Sequence, residues 1–242
     1  MNEVLDLLVG RSYSTDEEDP ALVRAMPVVL RIERAAPPNR TAILEAAAAA
    51  AIAVCLDPRA EPEGEWHDEV VTWIHGRIRK VSRRARGAHW EAVQALPGVT
   101  ISVAGAEARA LVPGLVVAAP KELTRLQISG SELPEDEPGP VPEGVPVLWL
   151  NPKVPMTAGK AAAQVGHGTM LLAPTLSEER LKSWAANDFR TAVRTPSADR
   201  WQSLLDSGAV AVRDSGAVAV RDAGFTEVEP GTTTVIAEWP GG

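Results

Sequence analysis

The chain has 242 residues, 45% of them apolar and 23% charged, with a formal net charge of −8. That size holds one or two domains with a real core, and the composition excludes a disordered chain. The one cysteine, Cys55, excludes an intrachain disulfide, and its Ala-rich setting reads as a small buried hydrophobe in a reducing cytoplasm. Met1 to Gly10 carries Glu3 and Asp6 and no basic segment, so no secretory leader is expected there. The longest apolar run, Ala46 to Leu56, is too short to span a bilayer, and no membrane partner is expected.

In chain order, residues 1–25 read as an acidic tail around Asp16-Glu17-Glu18-Asp19, and Met26 to Ile32 as a strand. Asn39 or Thr41 is placed to cap a helix that runs from Thr41 to Leu56. A second helix is expected from Trp66 to Arg86 and a third from His89 to Leu96. Strands follow over Val99–Val103 and Ala108–Val112, then a helix over Lys121–Gln127. Ser129 to Pro146 holds Pro134, Pro138, Pro140, Pro142 and Pro146 among acidic residues, which predicts a solvated linker. Val145–Leu150 is a buried strand, followed by helices over Thr157–Leu172, Ser177–Val193 and Ser197–Leu205. Strands Ala217–Arg221 and Thr232–Glu238 close the chain.

The two halves look like copies. Met26-Pro27-Val28-Val29 lies 119 residues before Val145-Pro146-Val147-Leu148, and Ala104-Gly105 lies 119 before Ala223-Gly224. Trp90 answers Trp201, and Pro113-Gly114 answers Pro230-Gly231. Within the second half, Asp206–Arg213 recurs without change as Asp214–Arg221. One copy of this octapeptide is therefore an expected insertion, with the second filling the strand and the first bulging out. The fold class predicted is α/β, as two tandem small mixed sheets flanked by helices. The division is 1–25 tail, 26–128 first domain, 129–144 linker and 145–242 second domain.

Lys160, Gln164 and His167 recur at spacings of four and three, so a helix starting near Thr157 puts them on one face. A lysine in the first helical turn is electrostatically odd, because the helix dipole is positive there. The stretch Met156-Thr157-Ala158-Gly159-Lys160-Ala161-Ala162-Ala163-Gln164-Val165-Gly166-His167 resembles a motif of the archaeal and eukaryotic type of peptidyl-tRNA hydrolase. A second block, Asp222-Ala223-Gly224-Phe225-Thr226-Glu227 to Pro230-Gly231-Thr232, resembles that family's later motif.

The resemblance implies hydrolysis of the ester between peptide and tRNA, with Lys160, Asp222 and Thr232 catalytic and His167, Gln164 and Thr226 supporting or binding substrate; Lys153, by its charge beside Lys160, either aids tRNA binding or disturbs the setting of that lysine. Such a reaction needs a positioned water, a donor for the oxyanion and a proton for the departing ribose oxygen. No cofactor is implied. His67, His75 and His89 lack metal-ligand spacing, so no metal site is expected.

Two departures stand out: Lys153-Val154 where the family has Asp-Leu, and Thr226-Glu227 where it has Thr-Gln. The alternative is a non-catalytic protein that binds tRNA or a nascent chain, its activity lost through the Lys153 change or the octapeptide insertion. In the first half Lys160 and Asp222 fall on Thr41 and Val103, and Leu115 follows Pro113-Gly114, so that half lacks the chemistry. Family members often pair as dimers, which predicts an intramolecular pseudo-dimer in a monomeric chain. The six basic residues within Arg77–Arg86 form a solvated helix face or, alternatively, flank the tRNA path.

Overall fold

A computed structural model describes residues 3–9, 18–207, 216–222 and 228–240. Arg24–Arg31 (β1) is the centre of the first sheet, its Val28, Val29 and Leu30 fully buried. Around it the chain runs α2 (Arg40–Cys55), α3 (His67–His75), β2 (Lys80–Ala85), α4 (Ala88–Gln94), β3 (Gly98–Val103), β4 (Ala106–Leu111), β5 (Gly114–Leu115) and α5 (Lys121–Thr124). A short helix, α1 (Glu3–Leu8), buries Val4 and Leu8 beside α3. The second sheet starts with β6 (Val147–Leu150) and continues through α6 (Ala158–Leu172), α7 (Glu178–Ala186), β7 (Ala192–Arg194), α8 (Ala198–Asp206), β8 (Ala217–Arg221) and β9 (Thr233–Glu238).

Both sheets have the same plan. The orders are β2-β1-β4-β3, with β5 also on β1, and β7-β6-β9-β8. In each, one parallel pair (Met26 opposite Lys80; Val147 opposite Ala192) joins an antiparallel remainder. Finer details repeat as well. Trp73 Nε1 donates to Arg79 O at 3.0 Å, and Trp184 Nε1 donates to Arg190 O at 2.9 Å, each six residues on and just before the parallel edge strand. Ile78 and Phe189 hold positive φ at matching places, 41° and 53°. Trp90 and Trp201 both pack on the outer face of their sheets.

The inner faces meet through α2 and α6, which lie side by side as one layer between the sheets, each touching both. The six-alanine run Ala46–Ala51 is buried on all sides, which allows helix backbones to approach closely. A Cβ on Gly166 would lie 3.1 Å from Ala51 Cβ, and Thr169 Oγ1 donates to Ala48 O at 3.0 Å. Arg194 Nη1 and Val193 N both donate to Glu45 Oε1, at 2.8 and 3.1 Å. Buried residues of both units form one continuous apolar cluster. The apolar contact between the two units that a pseudo-dimer requires is therefore present.

Several expectations are corrected. The helix foreseen over Trp66–Arg86 is α3 followed by strand β2, and the one over Ser177–Val193 is α7 followed by β7. In both places a residue at positive φ breaks the helix, and hydrogen bonds to β1 or β6 extend the chain beyond it. The basic residues of 77–86 are largely used internally. Arg77 and Arg79 pair with Glu18; Arg83 donates to Leu126 O, and Arg84 to Ser129 O and Gln127 Oε1. Neither a solvated helix face nor a tRNA-flanking helix exists there.

The linker is docked rather than solvated, with Ser131 and Leu133 buried. Asp136 Oδ1 accepts from Thr41 N and Oγ1 at 2.9 and 2.8 Å, capping α2 in place of Asn39, whose side chain makes no cap bond. Pro113-Gly114 follows β4, whereas Pro230-Gly231 precedes β9, so these dipeptides do not correspond. The first octapeptide copy and Thr226 lie almost wholly or wholly outside the described residues, and Ala217–Arg221 of the second copy forms β8 as expected.

Candidate active site

The site is built where α6 leaves the end of β6. Asn151 ends the strand: its Nδ2 donates to Thr233 O at 2.8 Å, and its Oδ1 accepts from Lys153 N at 2.9 Å. Thr157 then caps the helix, its Oγ1 accepting from Lys160 N at 3.1 Å. Ser131, arriving from the linker, supplies the remaining partners. Its Oγ accepts from Gly159 N at 3.0 Å and its carbonyl from Ala158 N at 3.2 Å. The first-turn amides of α6 are thus already engaged, so an anion at this helix end must be met by a side chain.

That side chain is Lys160. It forms an ion pair with Asp222, and the two side chains are only 10% and 4% exposed. The carboxylate offsets the cost of a cation at the positive end of the helix. Gln164 Nε2, one turn on, donates to the same Asp222 oxygen at 2.8 Å, while Gln164 Oε1 accepts from Thr234 Oγ1 at 2.5 Å. Asp222 sits just past β8, fixed by its own main chain: its N–H donates to Thr232 O at 2.9 Å and its carbonyl accepts from Gly231 N at 2.8 Å.

Lys160, Gln164 and Asp222 therefore converge, and Thr232 adjoins them through its backbone. Lys153 does not join them; it is exposed on the loop, tied to Asn151 through its main chain. Thr226 is outside the described residues. Thr234 is a participant that the motifs do not name. The two-residue alternation of a strand puts Thr234 on the same face as Thr232, and that period was the available signal.

His167 turns to the other unit. Its Nδ1 lies 3.2 Å from Lys80 Nζ on β2, and that ammonium also lies 5.1 Å from the Trp73 ring centroid. Burial first, then the charges of Lys80 and Lys160, pull the imidazole well below its ordinary 6.5, so the neutral ring accepts from Lys80. Burial also pulls Lys80 down to about 7, and pushes the neighbouring Cys55 thiol up to about 12. Lys80 was invisible to motif reading because it lies 87 residues away in the other half. Among the described residues, no group of three His, Cys, Asp or Glu is arranged to hold a metal, and no helix is long and apolar enough to cross a membrane.

Residues 145–242 match the family model described as peptidyl-tRNA hydrolase PTH2. The match contains Lys160, Gln164, His167, Asp222, Thr232 and Thr234, and leaves out the first unit. No curated protein matches the chain.

Proposed function

We propose that the chain hydrolyses the ester of peptidyl-tRNA in its second unit, residues 145–242, releasing peptide and free tRNA. The observation that carries this reading is the convergence of Lys160, Gln164 and Asp222 within the segment that matches the hydrolase family. Water adds to the ester carbonyl carbon as Asp222 takes its proton. Lys160 carries the negative charge that develops on the carbonyl oxygen, the role left to it once the helix amides are engaged. Collapse of the tetrahedral intermediate breaks the bond to the ribose oxygen, which takes the proton back from Asp222. Thr232 helps to orient the water, and Gln164, held by Thr234, keeps the carboxylate in place.

The first unit, 26–128, is a degenerate copy of the second, 145–242, joined to it by the linker 129–144. The shared strand order and the repeated Trp73 and Trp184 hydrogen bonds support that origin. With α2 covering α6 inside one chain, the protein works as a cytoplasmic monomer.

One observation favours the second reading, a tRNA-binding protein without activity: the Lys160–Asp222 pair is almost closed to solvent. Release of a labelled N-blocked amino acid from its tRNA separates the two. The hydrolase reading expects turnover by the full chain and at least about a hundredfold loss in Lys160→Ala; no release by the unaltered chain overturns it.

A further inference from the structure

We propose that the first unit holds a phosphate group of the substrate, in a basic cavity beyond the N-terminus of α6. The inference rests on the peptidyl-tRNA reading for the identity of that substrate. The cavity, about 180 Å³, has Arg84, Arg86, Arg125 and His89 in its walls and Ile32, Ala85 and Leu126 among its apolar lining. Among the described residues no carboxylate lines it. Glu33, the acid whose field reaches Arg86, accepts instead from Gly87 N at 3.1 Å and Arg31 Nε at 3.3 Å. Arg84 is fixed by Ser129 O at 2.9 Å and by Gln127 Oε1. Arg86 is different: its Nη1 is buried and has no hydrogen-bond partner among the described residues.

Guanidinium groups gathered around one cavity repel one another, and a buried donor left unsatisfied adds a cost of its own. A phosphate removes both costs, since guanidinium groups donate to its oxygens in a matching planar geometry.

The position of the cavity ties it to the reaction. Along β2, Lys80 meets His167 on α6, and Ser82 Oγ lies 3.4 Å from where a Cβ on Gly159 would sit, next to Lys160. The strand then runs on past the start of α6. Arg84 and Arg86 come two and four residues later, the latter roughly 13 Å beyond Ser82 at the rise of an extended chain. The segment from Gln127 to Ser131 bridges the same gap, touching Arg84 at one end and Gly159 at the other. A tRNA whose terminal ester lies at Lys160 therefore passes its backbone within reach of this cavity. The catalytically inert unit would thus anchor the substrate of its neighbour.

The test uses the full chain and the double variant Arg86→Gln/Arg125→Gln, with Lys182→Gln, on an exposed helix of the second unit, as control. Fluorescence anisotropy with labelled uncharged tRNA reads binding without any chemistry, and calorimetry with inorganic phosphate reads the small anion. The double variant is expected to bind tRNA about tenfold more weakly, with a log–log salt slope reduced by about one. Its melting temperature should be at or above the parent's, because Arg86 Nη1 has no partner to lose and the repulsion between the cations is relieved. Phosphate binding that the double variant loses, with tRNA affinity unchanged, overturns the anchoring of the substrate and leaves a site for a small phosphate anion only. Unchanged binding of both tRNA and phosphate overturns the proposal. A chain that shows Arg86-dependent tRNA binding but no ester hydrolysis keeps this site and discards the hydrolase reading.

Discussion

The two units differ most at one hairpin. In the first, β3 and β4 are joined by Ala104 and Gly105 alone, with φ of 47° and 82°, the left-handed pair of a tight two-residue turn. In the second, β8 and β9 are separated by residues 222–232, and that connection carries Asp222 and Thr232. The helix starts differ too: α2 opens with Arg40-Thr41-Ala42, where α6 opens with Ala158-Gly159-Lys160. An identical strand order therefore says nothing about chemistry. The acid lies at the start of an eleven-residue connection in one unit, residues 222–232, where the other unit has two residues, while the strand order around it is the same.

Changes at the contact between the units sharpen this comparison, and Lys80→Met is expected to have the largest effect. An unfolded lysine keeps its proton to about 10.5, whereas burial makes folded Lys80 release it near 7. Between those values the unfolded chain binds more protons, so the stability of the parent rises with pH across that window. Below pH 7 the burial cost is fully present, on the order of 5 kcal/mol. Lys80→Met should therefore be more stable than the parent at pH 6.5, and its advantage should shrink toward pH 10. Urea midpoints across that range measure it; an advantage independent of pH would show that Lys80 is not a buried cation. His167 acts at lower pH with the same sign. Its depressed value means that parent stability falls as pH drops below 6.5.

Next comes Gly166→Val, which sets branched carbons against Ala51 and the Lys80 stem at 3.1–3.2 Å. Overpacking of this helix contact should cost about 2 kcal/mol, read as a lower midpoint of unfolding. An unchanged midpoint would mean that α2 and α6 are not held together as described. The smallest effect expected is Asp136→Ala, about 1 kcal/mol for the lost cap on α2. If it has none, the linker is not docked in solution.

How much of this was legible in the sequence depended on distance along the chain. Lys160 and Gln164 share a helix face by spacing alone, and the strands with continuous apolar runs were found within a residue or two. The parallel edge strands β2 and β7 were not. Lys80–Ala85 is rich in charge and Ala192–Arg194 is only three residues long, so neither carries a strand pattern of its own. Both are extended because β1 and β6 supply their hydrogen bonds. Composition made the Pro-rich linker look solvated; Ser131 and Asp136 dock it on two helix ends that are remote in sequence. Lys80 beside His167 belongs to the same class of long-range contact.

The most direct test of the division of labour is a matched pair of changes at the two hairpins, read as kcat/KM for release of an N-blocked amino acid from tRNA. Asp222→Asn alters the working connection, and Val103→Ala alters its counterpart in the first unit. The account predicts a loss of at least about a hundredfold for Asp222→Asn and a change within about threefold for Val103→Ala. Near-parent activity in Asp222→Asn, or an equal loss in both variants, would contradict it.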